Sequence, residues 1–269
     1  MKRERLYRTN ALVLRRSDIG EADRLLTVLT PEFGKLRLLA KGVRKIASRK
    51  AGHVETLTHA QFLVAQGHTW DIISQAETIE AFRAIREDLL RTGAAFYCAE
   101  LLDRFAEEEG ENPPLFDLSL ATLRRLDKGQ GQMAIVLRFF EIHLLALAGY
   151  QPELFQCVRC YQPIAPISNY WSSADGGVLC PRCGDGLPHL LSLSLNVLKV
   201  LRFLQTRDWA TCQRLNLTLP LHSEIETVMQ GYITYVLERN LKSVDFLHHL
   251  RRQMALYDQK AKATSHANT

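Results

Sequence analysis

The sequence Lys35-Leu36-Arg37-Leu38-Leu39-Ala40-Lys41 alternates between apolar and basic side chains. Successive side chains of a β-strand point to opposite faces of a sheet, so the apolar residues share one face and the cations share the other. The pattern therefore predicts a strand that buries one side in a core and presents positive charge on its other side.

Further strands are predicted on both sides of this one. Pro31-Glu32-Phe33-Gly34 carries proline and glycine where a tight hairpin needs them. Other β-rich segments cover residues 9–16, 25–30, 58–66 and 70–80, and Gly67-His68 forms the turn between the last two. Five strands with an exposed basic face are typical of a small OB-type barrel. We therefore expect an OB-fold nucleic-acid-binding domain over residues 1–80.

Positive charge is concentrated at the start of the chain. The 269 residues have a net charge of +5, but residues 1–50 contain fourteen Lys/Arg and only five Asp/Glu. A run of one sign favours binding to a polyanion, although such runs are also found on solvated faces. The candidate phosphate contacts are Lys35, Arg37, Lys41, Arg44, Lys45, Arg49 and Lys50, which the cations Arg15, Arg16 and Arg24 extend. The aromatic residues Tyr7, Phe33, Phe62 and Trp70 could stack on bases, but a core position is favoured for each.

The hydrophobic period changes after Glu80 from two residues to three or four, which predicts amphipathic helices. The predicted helices cover residues 88–108, 114–128, 132–148 and 194–205. Asn112-Pro113-Pro114 supplies a cap followed by proline at a helix start. Ser223-Glu224-Ile225-Glu226 has the form of a capping box and predicts another helix over residues 225–239.

Four of the six cysteines form two C-x-x-C pairs, Cys157/Cys160 and Cys180/Cys183, separated by nineteen residues. Each pair places two thiolates on one turn, and two such turns complete a tetrahedron of sulfur around one metal ion. We expect Zn²⁺, and rubredoxin-like iron takes the same ligands. Four thiolates leave no position for water, so one structural metal should stabilise a module at about residues 155–187 that contains two short hairpins. Cys98 and Cys212 are expected to be buried as small apolar residues.

Several classes of protein are disfavoured. No stretch approaches the roughly 18 apolar residues of a membrane span, and the charged N-terminus does not resemble a secretory signal. The phosphate-binding Gly-x-x-x-x-Gly-Lys-Ser/Thr loop is missing. His53-Val54-Glu55 and a later C-x-x-C suggest a zinc deaminase, but Leu179 stands where that signature needs proline. We therefore expect a cytoplasmic protein that is not an enzyme.

Taken together, these features resemble the RecO family of bacterial DNA-repair and recombination mediators. The segments that carry the resemblance occur in the family's order: residues 11–16, 21–30 and 34–45, then the two cysteine pairs, then Leu241-Lys242-Ser243 with Phe246-Leu247. The resemblance implies an α+β protein of two domains: a five-stranded OB-type β-barrel, then an α-helical domain over residues 81–258 with an inserted four-cysteine zinc module. Residues 259–269 are expected to form a disordered tail.

The resemblance also implies a function. Members of the family bind single- and double-stranded DNA, anneal complementary strands, and work with RecR to load RecA on strands coated by single-stranded DNA-binding protein, which suggests a nucleoid-associated protein. The helical domain is expected to bind the acidic C-terminal tail of that coating protein through a cationic rim. Candidates for this rim are Arg124, Arg125, Arg138, Arg202, Arg207 and Lys242. The alternative is an RNA- or ribosome-binding OB/zinc module, since a basic OB face does not reveal its nucleic acid.

Overall fold

The computed structural model describes residues 5–108, 110–238, 241–247 and 249–254. These residues form two compact units that are interleaved along the chain. The first contains the described residues of 1–28, 37–103 and 241–269, and the second contains 29–36 and 104–240. The expected domain boundary at residue 80 stays a prediction, and the expected tail 259–269 lies outside the described residues.

Five strands close into a barrel in the order β1-β2-β3-β5-β4. Their bounds are β1 (Leu6–Ile19), β2 (Asp23–Thr30), β3 (Gly34–Ala40), β4 (His59–Ala65) and β5 (Asp71–Glu80). The β1–β4 and β4–β5 pairs are antiparallel, whereas β3 and β5 run parallel. A closed five-stranded barrel with the fifth strand between the third and fourth confirms the expected OB-type fold.

The burial of β3 follows its alternating sequence. Leu36, Leu38 and Ala40 are buried, whereas Arg37 on the other face is exposed. Phe62 on β4 is fully buried in the barrel core. Tyr7 is also buried, and its hydroxyl donates to a carboxylate oxygen of Asp71 at 2.9 Å. The predicted core positions of Tyr7 and Phe62 are thereby confirmed.

Two helices follow the barrel strands where the sequence predicted one. They are α1 (Arg83–Glu87) and α2 (Leu89–Phe105), so the predicted helix 88–108 begins one residue later and ends three residues earlier than expected. The later start is due to Asp88, which is extended and accepts the backbone N–H groups of Leu90 and Arg91 at 2.9 and 3.0 Å. A carboxylate in this position caps the start of a new helix.

The C-terminal segment docks on α2 through a second carboxylate. Residues 242–247 and 249–254 are helical. Glu100 accepts the backbone N–H of Ser243 at 2.8 Å, the Ser243 hydroxyl at 2.5 Å and the backbone N–H of Lys242 at 3.2 Å. Gly93 allows a close approach, since a Cβ there would lie 2.8 Å from Cδ2 of Leu247. The Leu241-Lys242-Ser243 segment that resembles the family is therefore the start of a docked helix.

The second unit contains six helices among its described residues. They are α3 (Pro113–Lys128), α4 (Met133–Leu147), α5 (Pro181–Gly184), α6 (Leu195–Thr206), α7 (Trp209–Cys212) and α8 (Leu219–Leu237). The predicted cap of α3 is confirmed, because the Asn112 side chain accepts the N–H of Leu115 at 3.1 Å. Cys212 is buried as expected, and Cys98 is buried in the first unit.

The predicted capping box at residues 223–226 is wrong. Ser223 and Glu226 lie inside α8, which begins after Thr218 and has proline in its first turn. Proline is well suited to that turn because the N–H that it lacks has no partner within the helix. Glu226 instead approaches the guanidinium of Arg138 at 3.8 Å, and Arg138 also pairs with Glu141 at 2.5 Å. Glu226 therefore pairs with a residue of another helix and does not cap its own.

No helix in the described part of the chain combines the length and the apolar character that crossing a membrane requires.

Candidate metal centre and nucleic-acid interface

The four cysteines lie on two turns beside a small sheet. The sheet has the order β7-β6-β8, with β6 (Asn169–Ser172), β7 (Gly177–Leu179) and β8 (Leu191–Leu193). Cys157 donates its backbone N–H to the carbonyl of Gln162 at 2.8 Å, which closes the first turn. Cys180 directly follows β7 and caps the short helix α5 that carries Cys183. Each C-x-x-C pair is therefore positioned by local backbone structure.

The sulfur atoms of Cys157, Cys160, Cys180 and Cys183 all lie within 4.8 Å of one another. The Sγ atoms of Cys160 and Cys180 are 3.7 Å apart. In a tetrahedral site with Zn–S bonds of about 2.3 Å, neighbouring sulfurs are about 3.8 Å apart. None of the six cysteines, all of which lie in the described part of the chain, forms a disulfide. The predicted set of four ligands is brought together, and it fits a metal ion that prefers thiolates.

The cluster shifts the pKa values of its thiols in opposite directions. Burial raises the pKa of Cys157, but N–H groups of Cys160, Cys180 and Arg159 that donate to its sulfur outweigh this and lower the pKa to about 6. Hydrogen bonds with the thiols of Cys160 and Cys180 raise the pKa of Cys183 to about 12. Four sulfurs this close resist ionising together, and a bound dication would remove that conflict.

The module matches the expected pair of hairpins in part. Strands β6 and β7 form one hairpin, and the first cysteine turn is closed by an antiparallel bridge between Gln156 and Pro163, with the N–H of Ile164 donating to the carbonyl of Phe155 at 2.8 Å. Strand β8 pairs with β6 and lies beyond residue 187. A three-residue strand such as β8 has no clear period of its own, so only its partner reveals it.

Helix α6 holds the first cysteine turn through Arg202. Its guanidinium donates to the carbonyl oxygens of Leu154 at 2.9 Å and Ile164 at 3.3 Å. The same group lies 5.0 Å from the ring centroid of Phe155. Gln205, one turn further along α6, donates to the carbonyl of Pro152 at 2.9 Å. The metal module is therefore tied to the helices by side chains that bond the backbone.

The predicted phosphate contacts separate into groups in the structure. Arg37 lies on the outer face of β3, and an irregular segment runs from Lys41 to the 3₁₀ turn Ala51–Val54. Four cations of this segment are exposed: Lys41, Arg44, Lys45 and Arg49. Lys35 belongs to the stretch 29–36 of the second unit, where its backbone N–H bonds the carbonyl of Glu107 at 3.1 Å.

Several of the remaining cations are paired with acids. Glu55 accepts from both Arg16 and Arg24, the latter at 2.9 Å. Asp18 lies 3.1 Å from Arg24 and 3.4 Å from Arg44. A phosphate would have to compete with these carboxylates. Arg15 lies 3.5 Å from a carboxylate oxygen of Asp103.

Lys50 is held differently from its neighbours. Its ammonium donates to the carbonyl of Ile73 at 2.8 Å, and burial lowers its pKa. By contrast, Lys41, Lys45 and Arg49 have no acidic partner within the described residues. These three, with Arg37 on β3, form the most accessible part of the predicted interface, and we call Lys41, Lys45 and Arg49 the cationic loop.

The six candidates for the cationic rim of the helical domain lie in different surroundings. Arg138 is fully buried, so its assignment to the rim is wrong. Arg125 is stacked over Trp209 and Phe139, at 4.2 and 5.0 Å from the ring centroids, and burial lowers its pKa to about 10. Arg202 is engaged in the metal module, and Lys242 belongs to the first unit. Of the six candidates, only Arg124 and Arg207 are exposed residues of the second unit.

The second unit has a cleft that the sequence did not indicate. It has a volume of about 470 Å³, and its apolar walls include Phe105, Leu115, Leu144, Leu147 and Tyr150. Arg104 and Glu107 stand among the lining residues. The sequence feature that could have indicated this cleft is the pair of exposed residues Leu147 and Tyr150, because they continue the apolar face of α4 to its end and beyond.

Comparison with protein-family models finds a match for each of the two parts of the chain. Residues 1–82 match the family model described as recombination protein O N terminal, and residues 86–245 match that described as recombination protein O C terminal. The chain belongs to the RecO family. The break between the two RecO matches falls directly after β5, the last strand of the barrel.

Curated RecO relatives match along nearly their whole length. DNA repair protein RecO of Roseiflexus sp. strain RS-1 is 42% identical over 94% of this chain and 88% of the relative. The protein of the same name from Dehalococcoides mccartyi strain BAV1 is 40% identical over 91% and 96%. That from Bacillus pumilus strain SAFR-032 is 33% identical over 96% and 100%. Family membership supports a role in DNA repair and recombination.

Proposed function

We propose that this protein is a non-enzymatic recombination mediator that binds single- and double-stranded DNA and anneals complementary strands. The observation that carries the proposal is the cationic loop: three exposed cations without acidic partners in the described structure, on an OB barrel of a RecO-family chain. Working with RecR, the protein would help load RecA on strands coated by single-stranded DNA-binding protein, in the cytoplasm beside the nucleoid.

Annealing follows from charge neutralisation. Two DNA strands repel each other, and cations that contact their phosphates release condensed counterions and lower that repulsion. Arg37, Lys41, Lys45 and Arg49 supply such charge from an OB surface. Phosphate contacts carry no base preference, so a surface of this kind accepts any complementary pair.

The metal has a structural part in this proposal. Cys157, Cys160, Cys180 and Cys183 would hold one Zn²⁺, which would complete a closed four-thiolate shell. The shell leaves no position for a reacting water, so the ion would contribute folding free energy. Through the bonds of Arg202 and Gln205 to the first cysteine turn, that stability would extend to α6.

An annealing assay distinguishes the proposed function from the alternative, which is binding of structured RNA. The protein should accelerate the pairing of two complementary DNA oligonucleotides, without a nucleotide cofactor, and should leave a non-complementary pair unpaired. A labelled-strand gel or a fluorescence-quenching assay measures the rate. Tighter binding to structured RNA than to DNA, together with no gain in annealing rate, would favour the RNA-binding alternative.

The cleft of the second unit, where exposed apolar side chains stand beside charged ones, is the proposed site for the C-terminal tail of single-stranded DNA-binding protein. A tail that combines apolar side chains with carboxylates needs apolar walls and a nearby cation. Leu147 and Tyr150 supply exposed apolar side chains, and Arg104 supplies the cation, while Glu107 would repel carboxylates on its side. The cleft thus replaces the rim that was predicted from sequence.

We expect a fluorescent tail peptide to bind the full-length protein saturably, as measured by anisotropy. Leu147→Glu should abolish the binding because it places a charge among the apolar walls, and Arg104→Glu should weaken it at least several-fold. Lys128→Glu, an exposed reversal outside the cleft, is the matched control. Equal affinity of the wild type and Leu147→Glu would exclude the cleft, and equal affinity for a peptide without its terminal aromatic residue would exclude an apolar anchor.

A further inference from the structure

The cationic loop carries an apolar side chain at its most accessible point. Ile46, directly after Lys45, is fully exposed, at 107% relative accessibility. Ala47 next to it is also exposed. Single exposed apolar residues are common on protein surfaces, so the exposure of Ile46 acquires meaning only from its surroundings.

The backbone around Ile46 is held in place rather than left open. Within the segment, Lys45 donates its N–H to the carbonyl of Gly42 at 3.2 Å, and Ser48 donates to the carbonyl of Lys45 at 2.9 Å. At its base, Arg44 donates to the carbonyl of Ala22 at 2.9 Å, and Val43 is buried. These bonds present Ile46 on a series of turns, so a partner would not have to order the backbone first.

The charges around Ile46 restrict the kind of partner. Lys45 and Arg49 flank it on both sides in sequence, and neither has an acidic partner in the described structure. The nearby acids Asp18, Asp23 and Glu55 are occupied, since the first and last pair with arginines and Asp23 accepts the N–H of Gly42 at 2.7 Å. An apolar tip between unpaired cations fits a polyanion with apolar surfaces between its charges. Stacked bases between phosphates have that pattern.

We propose that Ile46 inserts between neighbouring bases of the bound DNA strand while Lys45 and Arg49 contact phosphates beside it. Apolar side chains such as isoleucine act as wedges in this way, partly unstacking a base step and gaining buried area in return. The inference rests on the proposed DNA binding and adds a contact that is independent of charge. An unstacked step would also leave base edges accessible to an incoming complementary strand.

Ile46→Ser should lower the affinity for single-stranded DNA about ten-fold, which is the loss expected when an aliphatic side chain no longer becomes buried. The slope of log affinity against log salt should stay unchanged, because no phosphate contact is lost. In a strand that contains 2-aminopurine, wild-type protein should raise the fluorescence by unstacking the probe, and Ile46→Ser should remove this rise. Ile46→Leu, which keeps the apolar volume, should behave as the wild type.

Lys45→Gln is the matched control, because it should reduce the salt slope and keep the 2-aminopurine signal. Ile46 has little packing to lose, so its variants should melt at the wild-type temperature. If Ile46→Ser binds DNA and raises the 2-aminopurine fluorescence as the wild type does, the wedge is overturned. The wedge is also overturned if Ile46→Ser keeps its DNA binding but loses binding to anionic vesicles, and Ile46 is then assigned to a membrane surface. If the wild type itself does not bind DNA, the proposed function fails, whereas failure of the Ile46 contact alone leaves it intact.

Discussion

Replacing Cys157 or Cys183 by serine will lower the melting temperature of the protein and its metal content. Structural zinc sites in small peptides bind with apparent free energies of about 10–16 kcal/mol, and this binding energy is folding energy. Loss of a third of it should lower the melting temperature by about 6–9 °C in a protein of this size. Purified wild-type protein should contain about one zinc per chain by elemental analysis.

Arg182→Ser is the matched control for this prediction. Arg182 lies on the same turn as Cys180 and Cys183 but is exposed and is not a ligand. It should therefore keep the wild-type metal content and melting temperature. If protein purified without chelator contains neither zinc nor iron, the metal site is contradicted. If it contains about one iron per chain, the bound metal is iron, as in the rubredoxin-like alternative. Loss of annealing in a cysteine variant that melts like the wild type would give the metal a part in function rather than in stability.

The triple variant Lys41→Glu, Lys45→Glu and Arg49→Glu will bind single-stranded DNA about 100-fold more weakly at 0.1 M salt. Each phosphate contact on a single strand contributes about 0.7 to the slope of log affinity against log salt, so three lost contacts should lower the slope by about 2. The loss should be similar for all sequences because these contacts read no bases. Fluorescence anisotropy across a salt series measures both quantities.

A second triple variant separates local charge from net charge. Lys128→Glu, Lys199→Glu and Arg214→Glu are exposed cations of the second unit, and their reversal changes the net charge from +5 to −1, as in the first variant. We expect this control to retain most of the DNA affinity. If both triple variants bind DNA equally weakly, the attraction between protein and DNA depends on net charge alone. If the cationic-loop variant is folded and binds DNA with wild-type affinity, the loop is not part of the interface.

Local patterns in the sequence were sufficient for the barrel and the metal ligands. The alternation around Leu36 and Leu38 predicted a strand with one buried face, and the two C-x-x-C pairs predicted a four-sulfur cluster. Asn112 before two prolines predicted the start of α3. Each of these features depends on residues a few positions apart, or on a spacing that one metal ion imposes, so the sequence reveals them directly.

A short sequence pattern gave a wrong prediction where a residue distant in sequence binds the same side chain. Ser223 and Glu226 have the spacing of a capping box, but Glu226 turns to Arg138 and the helix begins earlier. A local rule states what a residue can do, and the tertiary partners determine which of those interactions occurs.

The sequence by itself determined the OB-type strands, the helical remainder, the four clustered cysteines and the stretch in which positive charge collects. Only the tertiary structure decided which cations pair with acids, because Glu55 lies 39 residues from Arg16 and 31 from Arg24. It also decided that Glu100 caps a helix that begins 142 residues later, at Lys242. Charge and periodicity are properties of neighbours along the chain, whereas ion pairs and docked helices are properties of neighbours in space. For that reason the sequence located the basic region, and the fold left Lys41, Lys45 and Arg49 exposed without an acidic partner among the described residues.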